Sequence, residues 1–192
     1  MNKSLLATLL LILLFSIAIK STLADSSVSG SELIKSKFNL VDHHGKNVTE
    51  QDYFGKYLLV FFGFTNCPKI CPLGLTNLTT VLKKLGDKRD LIYPIFISVD
   101  PERDTVERMS EYLKNFDPNI IGLTGTAENI EEASKSYRAY YGKIKGVSKE
   151  QYSFDHSSLI YLMDKDGSYL SSFPSNQDAE NMAKQIREFL KE

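Results

Sequence analysis

Tyr57-Leu-Leu-Val-Phe-Phe-Gly-Phe-Thr-Asn-Cys67-Pro-Lys-Ile-Cys71-Pro-Leu-Gly-Leu-Thr-Asn-Leu-Thr-Thr-Val-Leu-Lys-Lys-Leu-Gly86 is the segment on which the fold turns. Tyr57 to Phe62 is an unbroken apolar run of β-forming residues, the pattern of a strand buried on both faces. Leu75, Leu78, Leu82 and Leu85 then recur at helical spacing. They predict a helix from about Pro72 to Gly86, with proline in its first turn and glycine at its end. The two cysteines of the chain lie between this strand and this helix.

The same periodicities extend outward. Phe38 to Val41 predicts a short strand, with Asp42-His-His-Gly45 as its turn. Ile92 to Val99 predicts a second buried strand, and Ile120 to Leu123 a short one. Asp104 and Glu107 stand at capping-box spacing ahead of a helix that buries Val106, Met109, Leu113 and Phe116. Thr126 is expected to cap a helix reaching about Arg138. Leu159 to Met163 and Tyr169 to Phe173 flank Asp164-Lys-Asp-Gly167 as a tight hairpin. Met182, Ile186, Phe189 and Leu190 mark a closing amphipathic helix. Strands joined through helices run parallel, and the late hairpin antiparallel. The expected class is α/β, a thioredoxin-like fold: a mixed central sheet flanked by helices, an N-terminal β-hairpin and a late antiparallel hairpin, with an inserted unit.

The chain begins differently. Lys3 precedes the apolar block Leu5 to Ile19, and small residues follow at Thr22 and Ala24. Residues 1–24 therefore read as an export signal cleaved after Ala24, or as an uncleaved membrane anchor. Residues 25–37 read as a polar tether and 38–192 as the folded domain, placed outside the cytoplasm. Without Lys3 and Lys20 the remainder holds 21 basic and 24 acidic residues, a formal charge of -3. Nothing in this balance is basic enough to suggest nucleic-acid binding. A chain of 192 residues that is 42% hydrophobic and 24% charged is sufficient for one globular core.

Cys67 and Cys71 occupy the place where thioredoxin-like folds carry their redox pair, but with three intervening residues instead of two. Pro68 and Pro72 bias the preceding cysteines away from the α region, which predicts both thiols in a loop ahead of the helix. The helix N-terminus and Lys69 favour thiolates. Thiolates are nucleophiles and soft ligands suited to Cu(I). A stabilising disulfide is the competing reading, weakened because so small a loop removes little unfolded-state entropy. His156, in Ser153-Phe-Asp155-His156-Ser-Ser, precedes the strand at Leu159, and Asp155 is a candidate to orient its ring. On spacing alone a packed or loop histidine is a better reading of His156 than a ligand. His43 and His44 read as a solvated turn, Met109 and Met163 as core, and Asp100 to Asp104 as a strand end and helix cap.

Leu59-Val-Phe-Phe-Gly-Phe-Thr-Asn-Cys67-Pro-Lys-Ile-Cys71-Pro72 resembles the Sco/SenC signature, in which C-P-x-x-C-P follows an F-G-x-T turn. Ser98-Val-Asp-Pro-Glu-Arg-Asp104-Thr105 and Asp155-His156-Ser157 resemble the second and third blocks of that family, in the same order. The resemblance covers the whole domain. It implies a copper-binding assembly factor for cytochrome c oxidase, with Cys67, Cys71 and His156 as copper ligands. Cu(I) is the implied cargo, and Cu(II) where one more donor is supplied. The implied partners are the copper-site subunit of the oxidase and another copper donor protein, with the membrane added if the N-terminus is uncleaved. The implied setting is the periplasmic side of a bacterial inner membrane or the equivalent intermembrane compartment. Two positions depart from the family pattern: Lys69 replaces a usual acidic residue, and Asn66 a common histidine. They put affinity and partner choice in question. A thiol-disulfide oxidoreductase using Cys67 and Cys71 as a redox pair is the alternative. A peroxidase reading is weakened by having both cysteines in one turn.

Overall fold

The computed structural model describes residues 34–146 and 151–190. The export signal or anchor expected over 1–24 lies outside the described residues. Residues 35 and 36, within the expected tether, are bonded to the body: Lys35 N–H donates to the Ser136 carbonyl at 3.2 Å, and Ser36 N–H to that of Gly167 at 2.8 Å.

Nine strands and four α-helices follow among the described residues. They are β1 (Asn39–Asp42), β2 (Asn47–Thr49), β3 (Tyr57–Gly63), α1 (Ile70–Leu85), β4 (Ile92–Ser98), α2 (Val106–Leu113), β5 (Ile121–Thr124), α3 (Ala127–Tyr137), β6 (Tyr141–Lys145), β7 (Tyr152–His156), β8 (Leu159–Met163), β9 (Tyr169–Pro174) and α4 (Ala179–Phe189). Seven strands form one sheet in the order β2-β1-β5-β4-β3-β8-β9. β3, β4 and β5 run parallel. The hairpins β1–β2 and β8–β9 are antiparallel, as expected. Strands β6 and β7 stand apart as a two-stranded sheet.

β3 lies inside the sheet, and all its residues are buried. Its side chains alternate between two cores. Tyr57, Leu59 and Phe61 pack with Leu75, Leu78 and Leu82 of α1, Met182 and Ile186 of α4, and Met109 and Leu113 of α2. Leu58, Val60 and Phe62 pack with Ile130, Ala133 and Tyr137 of α3. A strand covered on both faces needs apolar residues at every position, which is why its sequence shows no alternation.

The structure corrects three expectations. α1 opens at Ile70, so Cys71 lies within its first turn and not in a loop ahead of it. Proline at position 72 costs this turn no bond, because first-turn N–H groups have no intrahelical partner. The bias against α geometry at Cys71 is offset by burial of Leu75 and Leu78 and by a bond from the Cys71 N–H to Cys67 Sγ at 3.4 Å. Second, Asp104 is not a helix cap. Thr105 caps α2, its hydroxyl accepting from the Arg108 N–H at 3.3 Å. Third, the β6–β7 hairpin was not anticipated.

Candidate metal centre

The C-terminal ends of β3 and β4 form the floor of the site. β3 ends at Gly63, where a Cβ would lie 2.8 Å from Cys71 Sγ and 2.7 Å from Phe96 Cε2. Only glycine lets the buried thiol settle against this strand end. The chain then turns through Phe64 and Thr65 to Cys67, which is half-buried, and enters α1, where Cys71 is fully buried.

Asp104 stabilises that turn. Its carboxylate accepts from Thr65 N–H at 2.9 Å, Thr65 Oγ1 at 2.6 Å and Ser98 Oγ at 2.6 Å. Arg108 Nε donates to Thr65 Oγ1 at 2.7 Å, and its Nη2 to Asn66 Oδ1 at 2.8 Å. Burial raises the Asp104 carboxyl pKa against these donated bonds. The residue expected to cap a helix thus holds the cysteine loop from below.

His156 enters from β7. Its ring sits among aromatic side chains, 5.8 Å from the centroid of Phe64 and 6.3 Å from that of Phe61. Nδ1 lies 3.1 Å from the Ser157 carbonyl. A carbonyl only accepts, so Nδ1 is the donor in this bond, and Nε2 is the nitrogen left to face the cysteines. Nε2 faces Cys71 Sγ at 3.3 Å. Asp155 is exposed and does not orient the ring; the Ser157 backbone does.

Cys67 Sγ, Cys71 Sγ and an imidazole nitrogen of His156 therefore lie within 4.8 Å of one another. Both cysteines are free thiols. Two thiolates and one neutral imidazole form a soft donor set that fits Cu(I). The thiols are inequivalent. Hydrogen bonding from Cys71 pulls the Cys67 pKa down to about 3 against its partial burial, with His156 and the N–H groups of Cys71 and Lys69 contributing. The neighbouring Cys67 sulfur and burial push Cys71 up. Lys69 thus acts through its backbone.

A depressed pKa favours the thiolate, so Cys67 should be ionised throughout the neutral and mildly acidic range. Its alkylation by iodoacetamide in the reduced, metal-free chain is expected to be flat between pH 5 and 8. An ordinary thiol, with a pKa of about 8.5, would slow roughly tenfold per unit over that range. A tenfold decline per unit at Cys67 would refute the assignment.

The remaining candidates lie elsewhere. His43 and His44 stand at the opposite end of the sheet, with ring centroids 4.0 Å apart. His43 is not simply solvated: Gly122 N–H donates to its Nδ1 at 3.1 Å. Met109 and Met163 are buried in the two cores, as expected. Arg103 is bonded to Asp100 and stacked on Tyr152, 3.7 Å from the ring centroid. The alternation Tyr152, Phe154, His156 was the signal that could have revealed β7.

Comparison with known proteins agrees with this geometry. The SCO1/SenC family profile matches residues 26–191. Protein sco1 of Schizosaccharomyces pombe is 42% identical over 152 residues, covering 78% of this chain and 58% of that protein. The human mitochondrial SCO1 homolog is 38% identical over 159 residues, covering 82% and 53%. The chain thus spans a little over half the length of these curated relatives. Among solved structures, copper-bound ScoI of Bradyrhizobium japonicum is 42% identical with a TM-score of 0.75, covering 82% of this chain and 99% of that one. Copper-bound yeast Sco1 is 38% identical with a TM-score of 0.75, covering 81% and 87%.

Proposed function

The chain belongs to the SCO1/SenC family, and from that premise we propose that it is a copper-binding assembly factor that helps metallate the dinuclear copper site of cytochrome c oxidase. The observation that carries this reading is the convergence of Cys67 Sγ, Cys71 Sγ and a His156 nitrogen within 4.8 Å. Cys67, Cys71 and His156 are the ligands in this proposal. Cu(I) is the favoured cargo, and Cu(II) is bound when a further donor completes its coordination. The half-exposed Cys67 is the ligand first within reach of an acceptor, while Cys71 and His156 are held in the protein. The acceptor is the copper-site subunit of the oxidase, and another copper protein supplies the metal. The domain of residues 38–192 acts outside the cytoplasm, on the periplasmic side of an inner membrane or in the intermembrane compartment. Residues 1–24 serve for export or anchoring.

Titration of the reduced full-length chain with Cu(I) against a chromophoric chelator tests the proposal. One copper per chain is expected, with none retained once the Cys67–Cys71 pair is oxidised. Failure of the reduced chain to bind copper would sink the reading.

The inequivalent thiols favour a second reading, a reductase of cysteines in the partner site. Cys67, half-exposed and of low pKa, would attack the partner disulfide, forming a mixed disulfide and releasing one partner thiolate. The Cys71 sulfur, on deprotonation, would then displace the second, leaving Cys67–Cys71 oxidised. A related protein, BsSco, is described as carrying a disulfide switch; it is 28% identical with a TM-score of 0.63. This reading does not require His156.

A further inference from the structure

His156 is carried by a hairpin with little core of its own. Lys143, Ile144 and Lys145 of β6 are exposed, and a two-stranded hairpin is at best marginally stable by itself. Its position against the body must therefore come from anchors. These lie on the face of β7 that carries Tyr152, Phe154 and His156, since alternate strand residues share a face. Phe154 packs edge-on against Phe64, with ring centroids 5.5 Å apart. Tyr152 meets the turn that follows β4. Its hydroxyl donates to Asp100 Oδ1 at 2.8 Å, with Glu102 Oε2 a second acceptor at 3.2 Å. Arg103 Nη1 donates to the Tyr152 carbonyl at 3.1 Å, and its guanidinium stacks on the Tyr152 ring. Arg103 Nε is bonded to Asp100, which is itself 1% exposed. Lys143 of β6 lies 3.8 Å from the Tyr152 centroid and donates to Glu102 at 2.9 Å.

This arrangement is not optimised for stability alone. Arg103 Nη2 is buried without a hydrogen-bond partner among the described residues, which a side chain placed for stability alone would avoid. Arginine is nevertheless the side chain whose planar fork serves a carboxylate, a carbonyl and an aromatic face together.

We propose that Asp100, Arg103 and Tyr152 form a latch that holds the β6–β7 hairpin against the body and so sets how completely His156 reaches Cys71. The three are positioning residues, since none of them belongs to the donor set. The inference rests on the reading of His156 as a copper ligand. Release of the latch would let the hairpin carry His156 away from Cys71 while the seven-stranded sheet stays folded. Apparent copper affinity then falls by the fraction of time the donors converge.

The test uses the reduced full-length chain with Arg103→Lys, and with Tyr152→Phe as the milder change that keeps the ring. Amide hydrogen exchange is read in the metal-free protein, and Cu(I) affinity by chelator competition. Exchange at the β6–β7 ladder should rise about tenfold in both variants, with β3 amides unchanged. Copper affinity should fall roughly 10–100-fold, the usual effect of losing support for a metal ligand. In a His156→Ala background, Arg103→Lys should cause no further fall, because the latch acts through His156. Unchanged hairpin exchange in both variants would overturn the latch. So would an undiminished affinity loss in the His156→Ala background. A wild-type chain that binds no copper would instead overturn the metal-centre reading, and hairpin exchange would still decide whether the latch holds.

Discussion

Replacing His156 with alanine is expected to lower the Cu(I) affinity of the reduced chain by roughly 100–1,000-fold. The apparent free energy of a structural zinc site built from cysteines and histidines, taken as a scale, is on the order of 10–16 kcal/mol. Loss of one of three donors, the two thiolates remaining, is assigned about 3–4 kcal/mol of it, which corresponds to that range at 1.4 kcal/mol per tenfold. No replacement donor stands nearby: among the described residues, the two cysteines and His156 are the single group of this kind within ligand distance. The space left by the ring would be walled by Phe61 and Phe64. Water in such a pocket has few polar partners and is a poor substitute. Cu(II), which prefers nitrogen and oxygen donors to sulfur alone, should suffer more than Cu(I). Chelator competition measures both. A change of less than tenfold for Cu(I) would remove His156 from the ligand set and leave the thiol-exchange reading in front. Circular dichroism of the variant separates ligand loss from unfolding.

The parts of this site that were legible in the sequence are those that depend on local pattern. β3, β4 and β8 show as continuous apolar runs because each is covered by neighbours on both faces. α1 shows in the leucine spacing that packs onto Leu59 and Phe61. The cysteines are legible as a reactive pair because they fall between these elements. What spacing could not show is contact across long separations. His156 lies 85 residues from Cys71, and their approach is set by how β7 returns to the body. The family resemblance supplied that pairing; periodicity did not. β6 was missed because its outer residues are exposed, so Tyr141 to Lys145 carries no buried stripe. Asp104 was misread for a related reason. An acidic residue beside a threonine at a helix start suits either position as cap, and Thr105 takes the role. The true partners of Asp104 are Ser98 and, 39 residues back in the chain, Thr65. Nothing in the local sequence marks them.

Asp104→Ala is expected to destabilise the domain by about 3–5 kcal/mol, the range for removing one member of a buried charged network. The side chain is fully buried, and its two oxygens receive three hydrogen bonds. Alanine would leave the Thr65 N–H and the Ser98 hydroxyl without that acceptor and open a small cavity beneath the cysteine loop. In a domain of this size such a loss lowers Tm by roughly 10 °C, at about 2–4 °C per kcal/mol. Asp104→Asn sharpens the test because it preserves shape. Thr65 N–H and Ser98 Oγ both point at Oδ2, while Thr65 Oγ1 points at Oδ1. With the amide oxygen kept at Oδ2, its NH₂ meets Thr65 Oγ1, which already accepts from Arg108 Nε and whose own proton then loses its acceptor, so asparagine should recover only part of the loss. The pH dependence has a definite sign. Burial raises the carboxyl pKa in the folded protein, so this group favours folding most below its unfolded value near 4. Its contribution declines as pH rises through the higher folded value, and the alanine variant should lack that decline. Urea unfolding of the three proteins across pH 3 to 7 measures all of this. An Asp104→Ala chain within about 1 kcal/mol of wild type would show that the carboxylate does not support the cysteine loop. A large loss, with Cys67 alkylation in the still-folded variant no longer flat below pH 7, would show that Asp104 sets both the stability of the domain and the geometry in which its thiolate is held.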